Sequence, residues 1–156
     1  MTPMAPTRSN RPASPTLPAS RHQCRIPLLA DVAAAAAARA VVQDCIRAWR
    51  APVDTDVAVL LTSELVTNAV THGTSTTGTF VILTVGCDAA ALRVDVHDGS
   101  SDLPVLDPVT AEAETGRGLL LVTSLSAEWG FYRTSAGKAV YFTLDYARDS
   151  SGAAPD

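Results

Sequence analysis

Apolar positions change their spacing along this chain, and each change marks an element. Val41, Val42, Cys45, Ile46 and Trp49 recur three and four apart, the stripe of an amphipathic helix. The spacing predicts a helix over 28–50. Asp31 would lie in its first turn and Arg47 and Arg50 in its last, matching the helix dipole. An Ala-rich run at its start favours helix and close packing, and Pro52 ends it. A second helix starts at a cap on Asp54 or Thr55 and runs to about His72. Val57, Leu60, Leu61, Leu65 and Ala69 form its core face, and Gly73 stops it.

The spacing then turns to that of strands. Residues 80–87 are almost continuously apolar, and 92–97 alternate. A turn over 88–91 joins them as a hairpin. Residues 98–118 carry no usable period, and so long a connection inside a compact domain favours a functional loop or lid. A short helix is expected over 119–125. Strands over 128–134 and 139–144 follow, joined by a turn at 135–138. This order predicts a two-layer α/β sandwich: about four strands in a mixed sheet, covered on one face by three helices. Residues near Cys24 to Pro27 would add a short extended piece at a sheet edge.

Composition narrows the class. With 156 residues, 47% hydrophobic and 18% charged, the chain suits one domain with a sizeable core. Residues 1–25, rich in Pro and Ser, are expected to be a disordered basic leader. Residues 26–146 would form the domain and 147–156 a flexible tail. The net charge is −4, yet the leader holds Arg8, Arg11, Arg21 and Arg25 and no acid, so the rest carries −8. An acidic body argues against a direct nucleic-acid groove. No apolar run reaches the roughly 18 residues of a membrane span, and the N-terminus lacks a signal-peptide core. Cys24, Cys45 and Cys87 show no close pairing in sequence, which points to free thiols in a reducing compartment, the cytoplasm.

Three groups of residues carry candidate chemistry. Glu64 and Asn68 stand one helical turn apart, about 40° around the axis, and share a face. On a helix turned to a core, two such polar groups need a partner. Magnesium prefers oxygen ligands and keeps several waters; the amide oxygen of Asn68 suits one such position. Glu64 would then orient or deprotonate an attacking hydroxyl or water. Asp98 ends an alternating strand, where its carboxylate can accept from an exocyclic amine such as that of adenine, or can simply serve a turn before Gly99. Thr115-Gly116-Arg117-Gly118 precedes the expected helix at Leu119. Glycines admit a phosphate close to the backbone, and a helix start offers unpaired N–H groups. This is neither a Walker A loop nor a Rossmann fingerprint.

Together these segments resemble the GHKL superfamily of ATPases and kinases, whose fold is the Bergerat, or histidine-kinase-like ATPase, fold. Within it they look most like the anti-sigma-factor serine kinases and their actinobacterial relatives. ELVTNAVTHG (64–73) is similar to the Asn-bearing box, VDVHDGS (94–100) to the adenine-contacting Asp box, and TGRGLLLV (115–122) to the phosphate-side glycine box. EWGFYRTSAGKAVYF (128–142) resembles the closing strand pair. The resemblance covers about residues 26–146. It implies ATP and Mg as cofactors, with Asn68 on the metal and Glu64 as general base. His72 and Gly73 would close the helix beside the phosphates, and Asp98 would read the adenine amine. Gly116, Arg117, Gly118 and Leu119 would line the phosphate side. It also implies a sigma factor and an anti-sigma-factor antagonist as partners; relatives often form homodimers, which leaves the oligomeric state of this chain open.

Some positions depart from that pattern. The Asp box lacks its usual following glycines. Glu114 stands where kinases of the group carry an Arg, and Ala139 where many relatives have Thr. Two functions therefore stand side by side: a kinase that phosphorylates the antagonist, which Glu64 favours, and a non-catalytic, nucleotide-gated protein-binding module, which Glu114 favours. A zinc site built on His72, His97 and Asp98 follows no familiar motif. Ser100 and Ser101 with His97 lack a nucleophile elbow. Trp49 and Trp129 are expected to be core or interface anchors. Lys138, the only lysine, falls in a turn and is expected to be solvated.

Overall fold

The computed structural model describes residues 22–72, 79–100 and 114–146. Its elements are β1 (His22–Leu29), α1 (Ala34–Trp49), α2 (Thr55–His72), β2 (Phe80–Cys87), β3 (Ala91–Asp98), α3 (Glu114–Leu125), β4 (Glu128–Thr134) and β5 (Gly137–Asp145). The sheet has five strands in the order β1-β2-β3-β5-β4, and every neighbouring pair is antiparallel. The two layers and three helices match the expectation; the strand count and the mixed orientation do not. The extended piece near Cys24 is a full edge strand paired along its length with β2. β5 returns beside β3 antiparallel, with β4 outside it.

Helix boundaries moved for local reasons. The first helix begins at Ala34, because residues 28 and 29 complete the ladder with Val81 and Phe80. Asp31 therefore precedes the helix, where its carboxylate accepts from the Ala33 N–H at 2.9 Å. Asp54 caps α2 as expected, accepting from the Val57 N–H at 3.2 Å. Arg50 closes α1 in the left-handed region, with φ 54°.

The core lies between the helices and one face of the sheet. Ala34, Ala38, Val42, Cys45 and Ile46 form the buried stripe of α1. Ala58, Leu61, Leu65 and Ala69 do the same for α2. The sheet answers with Val81, Leu83 and Val85 of β2, Leu92, Val94 and Val96 of β3, and Phe142 and Leu144 of β5. The sheet's other face is closed differently. Arg93 donates from Nε and Nη2 to Asp95 at 2.8 and 2.9 Å. The Tyr132 hydroxyl donates to Asp95 at 2.7 Å, and the Tyr141 hydroxyl to Glu128 at 3.1 Å. The Arg93 guanidinium lies 4.0 Å from the Tyr141 ring centre. Burial, and the nearby Glu128, push the Tyr141 hydroxyl up to about 12.

The cysteines are closer than their sequence separation suggests. Burial, then the neighbouring Cys24 thiol, push Cys45 up to about 12, so it stays a neutral thiol. Trp129 is buried as expected, and Trp49 is half-buried with its ring stacked on His22 at 5.3 Å.

Candidate functional site

The helix-facing side of the sheet is apolar until its last row. Val94 of β3 lies beside Phe142 of β5, which lies beside Trp129 of β4. Two residues on, Val96, Val140 and Phe131 repeat the pattern. The next row is Asp98, Lys138 and Arg133. Strand alternation puts these side chains on the core side, but at the sheet end, where the apolar filling stops.

Lys138 is buried rather than solvated, a correction to the turn reading. Strand β5 begins two residues earlier than expected, at Gly137, so position 138 falls in the ladder opposite Asp98. Nζ of Lys138 donates to both Asp98 oxygens, each at 3.0 Å. The two side chains are 8% and 2% exposed. The Ser100 N–H also donates to Asp98 Oδ1, at 2.8 Å. Burial raises the Asp98 carboxyl above its usual range, and the bonds from Lys138 and Ser100 oppose that rise. Gly137 holds the register: a Cβ there, at φ 158°, would come within 2.2 Å of the Asp98 carbonyl oxygen.

Glu64 and Asn68 are half-buried on the flank of α2, one turn apart. Beside them, Arg39 of α1 donates to the Ser63 hydroxyl at 3.0 Å. His72 is the last residue of α2. Seven residues separate it from β2, whose first residues pair toward the Asp98 end of β3. The C-terminal end of α2 and Asp98 thus share one end of the sheet. Gly116, Arg117, Gly118 and Leu119 lie inside the first turns of α3, not before it: the helix starts at Glu114. α3 ends where β4 begins, at the end of the sheet opposite Asp98, and its N-terminal turn points away from that opposite end. Gly73 lies outside the described residues, as do 101–113 of the expected loop.

Two features escaped the sequence reading. One is the Asp98–Lys138 pair. Its signal was present, since counting by twos back from Leu144 through Phe142 and Val140 reaches Lys138 on the core face. The other is the Arg93–Asp95–Tyr132 network on the helix-free face, which looked like ordinary solvated alternation. A cavity of about 540 Å³ opens on that face, lined in part by Arg25, Phe80, Ile82, His97 and Tyr132, and reaches Asp98 at the strand end.

An antiparallel sheet with three helices on one face, and a carboxylate ending the strand beside a helix that carries Glu and Asn, is the architecture of a Bergerat-type ATPase domain. The chain matches the model of the histidine kinase-like ATPase domain over residues 28–144, and it belongs to that family. Among solved structures it is similar to the RsbU and RsbW domains of Rv1364c from Mycobacterium tuberculosis, with a TM-score of 0.60 and 22% identity. That alignment covers 79% of this chain and 32% of the other, so the chain spans about a third of that protein's length. At this identity the likeness is one of fold. No curated protein matches the chain. No helix among the described residues is long and apolar enough to cross a membrane.

Proposed function

We propose that the chain binds ATP with magnesium and acts as an anti-sigma-factor serine/threonine kinase, phosphorylating an anti-sigma-factor antagonist. The observation that carries the reading is the convergence of the end of α2 with Asp98 at one end of the sheet, in a chain of the histidine kinase-like ATPase family. The donor set suits the ligand. Asn68 offers a hard amide oxygen for a hydrated magnesium ion, and Asp98 an acceptor for an exocyclic amine. Gly116, Arg117, Gly118 and Leu119, in the first turns of α3, would line the phosphate side, where a helix start favours anions, and His72 and Gly73 would close the other side. Bound ATP supplies the transferable phosphoryl group. Glu64 takes the proton of a seryl hydroxyl on the partner.

The test combines labelled ATP, magnesium and candidate antagonists. Label on a partner serine, lost in Glu64→Ala, supports transfer. Asn68→Ala should abolish magnesium-dependent ATP binding; unchanged calorimetric affinity would remove Asn68 from the metal. A second reading, a nucleotide-gated binding module, draws on Glu114 standing where an Arg would neutralise charge in transfer. Tight ATP binding with no labelled partner would favour it.

A further inference from the structure

Asp98 has a specific bonding vacancy. An ionised carboxylate offers about four lone-pair sites. Lys138 Nζ takes one on each oxygen, and the Ser100 N–H takes a second on Oδ1. Among the described residues, the site left open is on Oδ2. Only a donor satisfies it; a carbonyl brought there would set lone pair against lone pair. This depends on the carboxyl staying ionised. At 2% side-chain exposure, a carboxyl without a cation goes neutral, and a neutral acid carries a proton to donate. Among the described residues, the charged and titratable groups around Asp98 are Lys138 on β5, Arg133 beyond it on β4, and His97 on its own strand, on the opposite face. Of these, Lys138 makes both direct contacts. It is held there by Gly137, whose missing side chain lets β5 close on the Asp98–Gly99 backbone.

We propose that Lys138 is a positioning residue of the purine pocket: by engaging both Asp98 oxygens it keeps that carboxyl an acceptor, so the site takes a 6-amino purine and refuses a 6-oxo purine. This rests on the reading of Asp98 as the purine contact. Removing the ammonium lets Asp98 hold a proton, which it can give to a 6-oxo group, and base choice relaxes.

The experiment is calorimetric titration of the full chain with the magnesium complexes of ATP, purine riboside triphosphate and ITP. A charge-assisted bond gained or lost corresponds to a ratio of roughly 10–100. The wild type should bind ATP best, purine riboside triphosphate next and ITP least, with ATP ahead of ITP by at least about tenfold. Lys138→Met should bring the ATP-to-ITP ratio within about threefold of one, and Lys138→Arg should keep the wild-type ratio. A merely structural lysine would alter the melting temperature and leave the ratio alone. Lys138→Gln is read the same way if the Met variant fails to fold. A wild-type ratio retained without the ammonium overturns the proposal, as does a wild type that binds ITP as well as purine riboside triphosphate. A wild type that binds none of the three overturns the pocket reading itself, and this proposal with it.

Discussion

β3 carries two buried aspartates, Asp95 and Asp98, each paired with a basic residue, on opposite faces of the same strand. Asp95 is closed off. Arg93 grips it with two donors, Tyr132 adds a third, and Arg93 is capped by the Tyr141 ring. Asp98 accepts three bonds as Asp95 does, but it ends the strand where the apolar filling stops. The difference shows what turns a buried ion pair from scaffold into candidate site. Nearly identical groups hold the sheet together in mid-strand and become a candidate site at a strand's open end, because position and not bond count separates them. Removing one member of a satisfied buried pair strands a charge, whereas replacing the whole pair with apolar residues is often neutral.

The sharpest way to break this contrast is Asp95→Ala. It leaves Arg93 buried and uncompensated, so unfolding in urea should show a loss of about 3–5 kcal/mol. A loss below about 1 kcal/mol, within the range of exposed pairs, would mean the network is solvated after all. Tyr132→Phe removes only the third donor to a charged acceptor and should cost about 1.5–3 kcal/mol, with magnesium–ATP affinity unchanged. Weaker nucleotide binding in that variant would mean the two aspartates are coupled.

His97 lies between the two pairs, with its ring edge-on to Tyr132 at 6.2 Å. Burial holds its pKa below 6.5; Arg25 and Arg93 push the same way, while Asp95 and Asp98 pull against them. The folded state therefore favours neutral His97. That contribution is fully present above about pH 6.5 and is lost as pH falls through the lower folded value. His97→Asn should flatten the fall in stability between about pH 7 and 5. A wild-type-minus-variant difference that stays constant across that window would rule His97 out as its source. The smallest expected effect is at Thr84, opposite Asp95 on β2, whose buried hydroxyl has no hydrogen-bond partner among the described residues. Thr84→Val should be neutral or stabilising by up to about 1 kcal/mol. A clear destabilisation would mean the hydroxyl supports Asp95.

Much of the frame was legible in the chain. The second helix, the β2–β3 hairpin and the closing strands follow from periods of 3.6 and 2 and from local stop signals such as Pro52 and the Asp54 cap, and these act over a few residues. The first helix was misjudged at its start because Leu28 and Leu29 suit a helix as well as a strand, and only pairing with β2 decides between them. The third helix was expected to start at Leu119 because glycines disfavour helix by about 1 kcal/mol each relative to Ala; in the fold it begins at Glu114.

The sequence by itself determined which residues are apolar, with what period, and that Glu64, Asn68 and Asp98 lie in segments like those of a nucleotide-binding family. Tertiary structure alone decided that Lys138 faces Asp98 and that Asp95 is sealed between Arg93 and Tyr132. Those partners stand 40 and 37 residues apart in the chain. Local periodicity says which way a side chain points, but strand order and register say what it meets. A buried charge takes its chemistry from what it meets.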